Sequence, residues 1–495
     1  RSEAIYSGLK DYQVTLNTEV NNMVEKINSL GQRIYNLNKG IVKVEAAGVE
    51  RANDLRDSRD LALDELSKYI DIDYYETKDG EVIVSAENVP FITKNDIAKM
   101  SVREEGTYGL LIPQWEGYQQ DVYNFDKQAN NANDTDKGKL KGLLIARGVI
   151  EVNYTDIPVM PERADYDLTT EQGMAEYNSA MDAYQQKQDY YNKYIEPSAI
   201  LSAIAGFDKL VNGIVTAMND VLCPETTMDT TKELTDADGN ILKAEKYVYN
   251  ASTHDVLYDS HGNVVAGKEN GDGTYSYEAS EKLYVDANQE ETENIDSMTY
   301  KILDMSKAGY GMDDDETRGV ELFKRNGTDR YKQITGADGG TIYVRNNLNV
   351  TGFETDYTLG NLIVNPKASQ NVGTLPLSTE HGKEDFSKVN ELIDTFSKKF
   401  ASLNPENYAK ADFNTFYNDY IGEFATMGSV LTKYVNNQTT MVNGYDNQRL
   451  QTSGVSSDEE LQKMIKYQHA YNAASRYINV VSEMIEHLVT SLGHA

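Results

Sequence analysis

The sequence predicts an α+β chain: a long helical, coiled-coil-like inner domain assembled from the two chain ends, with β-rich outer domains inserted between them. Three observations predict it. The nine prolines all fall between Pro90 and Pro405, so residues 1–89 and 406–495 carry none, and proline inside a helix costs about 3 kcal/mol or more. Apolar residues step by threes and fours through both of those ends. The middle instead carries Gly- and Asp-rich turns between short Tyr- and Val-containing runs.

In chain order, residues 1–72 are read as the N-terminal helices of the inner domain. Val20, Met23, Ile27, Leu30, Ile34, Leu37, Ile41 and Val44 form a heptad seam, which Leu9 and Leu16 extend backwards across Gln13. Gly48 ends that helix. A second runs from Asp54 to Ile70 with Asn53 as its cap. A β subdomain follows over 73–148, opened by alternation around the hairpin signal Asp79-Gly80. Residues 149–222 return to the inner domain as helix, with Tyr- and Gln-rich polar faces and then Ile204, Leu210, Ile214 and Met218. Residues 223–370 read as an acidic β-rich outer insert, with Asp238-Gly239-Asn240, His261-Gly262-Asn263 and Gly271-Asp272-Gly273 as turns. Residues 371–450 supply C-terminal helices through Phe416, Tyr420, Phe424, Met427, Leu431 and Tyr434.

The last segment, 451–495, is an axial helix with the seam Met464, Tyr467, Tyr471, Ala474, Ile478, Val481, Ile485, Leu488 and Leu492. Ser456 with Glu459, or Ser457 with Glu460, makes a capping box at its start. Asp458, Glu459 and Glu460 meet the positive end of the helix dipole.

Charge narrows the function classes. The chain carries 47 Lys+Arg against 79 Asp+Glu, a net −32, which opposes binding to nucleic acid or to an anionic membrane surface. Residues 221–320 hold 22 acids and 8 bases, whereas 441–495 hold 6 and 4. Acid thus concentrates where solvent exposure is expected, and the near-neutral end is where packing is expected. No apolar run in the sequence approaches the ~20 residues of a membrane span. The opening Arg1-Ser2-Glu3 has no signal-peptide character. One cysteine, Cys223, allows neither an internal disulfide nor a Cys-based zinc site. The 35 tyrosines against 11 phenylalanines suit large subunit contacts, because Tyr packs its ring while its hydroxyl stays wet.

Catalytic and metal motifs are missing from the sequence. The six histidines lack metalloprotease spacing, with His469 and His487 read as helix-face residues. There is no Gly-x-Ser-x-Gly and no dinucleotide fingerprint. Gly262…Gly267-Lys268 continues with Glu269 where a P-loop needs Ser or Thr. Asp313-Asp314-Asp315-Glu316 reads as a solvated loop, since calcium needs about 6–8 placed oxygens. Cys223, followed by Pro224 and lacking an evident base, reads as inert. The dense run Arg56, Asp57, Arg59, Asp60 and Asp64 reads as a solvated helix face with an Arg56–Asp60 pair rather than an inter-subunit patch. No catalytic residue, cofactor or metal ligand is assigned.

The stretch Ala52-Asn53-Asp54-Leu55-Arg56-Asp57-Ser58-Arg59-Asp60…Asp64-Glu65-Leu66-Ser67 resembles the flagellar hook-associated protein 1 (FlgK) family. So do Gly80-Glu81-Val82-Ile83-Val84, Gly138–Leu143 and Phe207-Asp208-Lys209-Leu210…Ala217-Met218-Asn219. The C-terminal Ser453-Gly454-Val455-Ser456-Ser457-Asp458-Glu459-Glu460…Tyr467-Gln468-His469-Ala470-Tyr471-Asn472 resembles the terminal segment shared by axial rod, hook and junction proteins. The resemblance covers most of 1–220 and 375–495 and leaves the insert unplaced. It departs at Asn88, which stands where the family has a turn glycine. It also departs at Arg1, which falls past the N-terminal helical segment that in the family pairs with the C-terminal helix.

The resemblance implies an extracellular structural protein of the bacterial flagellum, exported by the type III apparatus without a cleavable signal peptide. Its implied partners are the hook protein, a second hook-associated protein on the filament side, copies of itself in a ring, and an export chaperone. Seam spacing alone does not say whether the two seams pair within one subunit or between subunits; the resemblance favours inter-subunit packing for 455–495. Three other readings stay open: a flagellin-like or hook-like axial protein, a surface binding module displayed by the insert, and an enzyme hidden in the insert.

Overall fold

A computed structural model of the chain describes, apart from short breaks, residues 2–125, 137–227, 301–345 and 357–492, together with strand segments between 234 and 298. The chain is α+β and divides into two units, Arg1–Phe424 and Ala425–Ala495.

Helix α1 (Ser2–Glu45) is the spine of the first unit. Its buried row is Val20, Val24, Ile27, Gly31, Ile34, Asn38 and Ile41, with Leu30 beside it. The expected seam shares Val20, Ile27, Leu30, Ile34 and Ile41 with this set. It departs at the others: Met23 and Leu37 are half-buried and Val44 is exposed, while Val24, Gly31 and Asn38 take the core. The physical reason is the partner. The row packs on α2 (Asn53–Leu66), on the sheet β1 (Ile72–Glu76), β2 (Val82–Ala86), β3 (Val89–Ile92), and on α3 (Lys139–Arg147). A second long helix is not what covers it. Phe91 of β3 closes on Gly31, where an added Cβ would stand 2.5 Å from the ring.

A second antiparallel sheet, β4 (Met100–Glu105), β5 (Leu110–Trp115) and β6 (Gln120–Asp121), also lies along α1. The Asp79-Gly80 turn joins β1 to β2, with Gly80 at φ +85°. Glu87 and Asn88 turn β2 into β3 at φ +48° and +64°. Asn is one of the few non-glycine residues that enters this left-handed region readily.

Two expectations about the α1–α2 junction are corrected. Asn53 does not cap α2; Ala52 precedes the helix, and its N–H donates to Glu45 Oε1 at 2.9 Å. The charge run is not a solvated face with an Arg56–Asp60 pair. Arg56 forks onto Glu45 at 2.7 and 2.8 Å and reaches Glu76. Arg59 is buried and donates to Gly80 O at 2.6 Å. Both arginines clamp α2 to the end of α1 and the β1–β2 hairpin, because that corner leaves carbonyls and carboxylates in need of donors.

Helix α4 (Glu171–Tyr190) runs through a π-turn (Tyr191–Ile195) towards α5 (Ala199–Leu222). Helix α5 is long and apolar enough to cross a membrane, which corrects the expectation from hydropathy. It is a core helix: Leu201, Ile204, Phe207, Leu210, Val211 and Val215 enter three adjoining apolar clusters. One of these gathers Tyr6 of α1 with Tyr420 and Phe424, in the first turns of α8 (Phe413–Ser453), around Phe207.

Beyond α5, β7 (Glu225–Thr227) joins an antiparallel sheet with Lys301–Leu303, Thr341–Arg345 and Tyr331–Gly336. Phe323–Arg325 pairs with Leu362–Val364. The three turns expected at 238–240, 261–263 and 271–273 lie outside the described residues. Short helices α6 (Pro366–Gln370) and α7 (Ser387–Thr395) lead to α8, and α9 (Ser457–Leu492) follows it.

Candidate axial interface

Helix α9 is set up by its first turn. Ser456 Oγ accepts the Glu459 N–H at 3.4 Å, and Asp458, Glu459 and Glu460 sit at the positive end of the dipole. Along the seam, Met464, Tyr467, Tyr471, Ala474, Ile478, Ile485 and Leu488 are exposed and Val481 is half-buried. The Leu492 side chain lies outside the described residues. Tyr477, Val480, Met484 and Val489 are exposed as well and widen the apolar face in the second half of the helix. A face this broad suits cover from more than one side.

Helix α8 changes character along its length. Its start is core: Phe413 and Phe416 are buried, with Phe400 stacked on Phe413 at 4.3 Å. Tyr420 Oη donates to Ala203 O at 3.0 Å. Further on, Val430, Leu431, Tyr434, Val435, Met441, Val442, Tyr445 and Leu450 are all exposed. The predicted inner-domain seam on α1 is therefore largely covered within its own unit, while the axial seam and the distal part of α8 present apolar surface to solvent.

His469 and His487 are exposed on α9, and His254, His261 and His494 lie outside the described residues. His381 Nε2 stands 2.9 Å from Glu316, and Asp313 accepts the Thr317 N–H at 2.8 Å. Among the described residues, no cluster of three His, Cys, Asp or Glu side chains could hold a metal. Cys223 is fully buried, and burial pushes its thiol up to about 12, far from a thiolate at neutral pH.

Apolar spacing missed the polar half of α1. Asn17, Asn28 and Asn38 each bond a strand backbone in both directions, at Gly109/Leu111, Met100 and Val82. The only trace in the sequence is an asparagine recurring in a helix that its propensity disfavours.

Residues 1–180 match the family model described as the flagellar hook-associated protein FlgK helical domain. Residues 446–491 match the flagellar basal body rod FlgEFG protein C-terminal model. Flagellar hook-associated protein 1 of Bacillus subtilis (strain 168) is 27% identical over 177 residues, covering 34% of this chain and 32% of that protein. The match thus spans less than two thirds of that relative's length. The flagellar hook junction protein FlgK from Burkholderia pseudomallei overlaps 76% of this chain and 53% of its own at 13% identity. Its TM-score of 0.31 is too low to bear on the fold.

Proposed function

We propose that the chain, whose two ends match FlgK-type and rod-type flagellar models, is a flagellar hook-associated protein 1 that forms the junction between hook and filament, and that filament assembly requires it. One observation carries this reading: the apolar seam of α9 is exposed on a helix that falls within the segment matching the rod-type C-terminal model. Exposed apolar surface of this extent marks an interaction site. In the proposed role the seam packs against neighbouring subunits, with copies of the chain closing a ring. The hook protein lies on one side of that ring and a second hook-associated protein on the other. An export chaperone covers the seam before assembly, and the type III route delivers the chain to the outside without signal cleavage. The role is structural, with no catalytic step.

The test is electron microscopy of cells lacking the gene, with flagellin assayed in the medium. Bare hooks with shed flagellin are expected. Intact filaments would overturn the junction role and bring forward a surface-binding role for the insert.

A further inference from the structure

The insert leaves the helical body after α5 and returns through 357–365, and both crossings meet in one buried polar cluster. Asn219, near the end of α5, accepts the N–H groups of Leu322 and Phe323 at 3.1 and 3.4 Å and donates to Phe323 O at 2.7 Å. Arg330 is buried at the centre. Its Nη2 donates to Asp220 at 3.0 Å, its Nε to Glu225 at 3.1 Å and its Nη1 to Tyr357 Oη at 2.9 Å. Tyr357 passes the link on, donating to Glu321 Oε2 at 2.5 Å. Arg345 makes a second contact to Glu225 at 2.8 Å. Asn365, on the return, donates to Glu321 O at 2.7 Å.

The cluster joins three stretches far apart in sequence: 219–225, 321–331 and 357–365. Asp220 stays exposed at the rim, but Arg330 and Glu321 are withdrawn from water to enter the cluster, a cost that is offset only when the whole geometry is made. An apolar contact can slide by an ångström and keep most of its energy. A guanidinium shared between Asp220, Glu225 and two tyrosine hydroxyls cannot, because its planar fork fixes the directions in which it donates. Partial opening strands a buried charge, so the cluster is either closed or broken.

We propose that Arg330 is the pin of a locked joint, which couples the outgoing end of α5 to the returning segment 357–365 and so holds this part of the insert at a set angle to the helical spine. The insert base is then a rigid outward extension of the helical body rather than a tethered loop.

Hydrogen exchange on the full chain tests the proposal, comparing the parent with Arg330→Met and Tyr357→Phe. In Arg330→Met the amides of Leu322, Phe323 and Leu359 are expected to exchange about tenfold faster or more, with those of Val24–Ile41 in α1 unchanged. Unchanged exchange at the three amides overturns the joint. Equal acceleration in α1 also overturns it, since Arg330 would then support the whole fold. If Arg330→Met does not fold, Tyr357→Phe decides: removing one hydroxyl is expected to speed exchange at the same three amides alone, and no change there rejects the proposal.

Discussion

Asn38 and Val82 exchange two hydrogen bonds across a helix–strand contact: Asn38 Nδ2 donates to Val82 O at 2.8 Å, and Val82 N donates to Asn38 Oδ1 at 3.0 Å. The primary amide copies the backbone of a neighbouring strand. Asn28 does the same with both groups of Met100, and Asn17 spans Gly109 O and Leu111 N. Helix α1 therefore binds its sheets partly as an added strand would, satisfying backbone groups that burial would otherwise orphan.

Asn38→Leu tests this directly. Heptad reasoning expects an apolar residue in that row to stabilise. The exchange with Val82 instead implies a loss of about 1–3 kcal/mol, because a buried N–H and C=O lose their partner. Chemical denaturation reads the sign, and a stabilised variant would refute the role given to Asn38.

Val24→Ala and Val44→Ala separate the observed row from the predicted one. Val24 is 3% exposed and Val44 38%. Truncation at Val24 is expected to cost about 1–3 kcal/mol through lost burial and a cavity, and truncation at Val44 less than about 0.5 kcal/mol. Equal melting temperatures for the two variants would contradict the burial.

Asp208 gives a pH signature. It is 2% exposed and accepts the N–H groups of Tyr154 and Leu359 at 2.9 and 2.7 Å. Burial pushes its carboxyl up from 3.8 to about 6, with those two bonds pulling the other way. The folded state thus holds this proton more tightly than the unfolded chain does. Its contribution to stability is full below 3.8 and is lost as the pH rises to about 6. The loss is on the order of 2–3 kcal/mol. The parent should therefore be more stable relative to Asp208→Asn at about pH 4 than at about pH 7. The same difference at both would show that Asp208 does not titrate in this window.

Ile478→Asp and Ile485→Asp address α9. Both positions are more than half exposed, so the isolated subunit should keep its stability within about 0.5 kcal/mol. Assembly should nonetheless fail, because a charge would have to be buried at the subunit contact. Normal filaments from either variant would remove α9 from the proposed interface.

The helices were legible where apolar residues alone mark them. The Ser456 cap and the proline-free ends located α9 and α8, and Asp79-Gly80 located the β1–β2 turn. The α1 seam was legible at Val20, Ile27, Ile34 and Ile41 and misread between them. Gly31 is in the core because Phe91 needs its space, and Asn38 because Val82 needs its amide. Neither reason has a period. Arg59 was misread for a similar cause: a guanidinium in a run of charges looks solvated, and only the fold brings Gly80 O over it. The hydropathy reading of α5 failed differently, since so much of this helix is core that its composition reaches that of a membrane span.

The exposed seam of α9 has a consequence for the subunit in free solution. A chain with a net charge of −32 carries a bare apolar helix whose own segment is nearly neutral. Free subunits are therefore a charge-stabilised colloid: acidic bodies repel at distances of about 10 Å in 0.1 M salt, and that range shrinks to about 3 Å at 1 M. Screening lets the helices meet while the folded state is untouched. The shelf life of such a dispersion is governed by ionic strength, and a melting temperature will not forecast it.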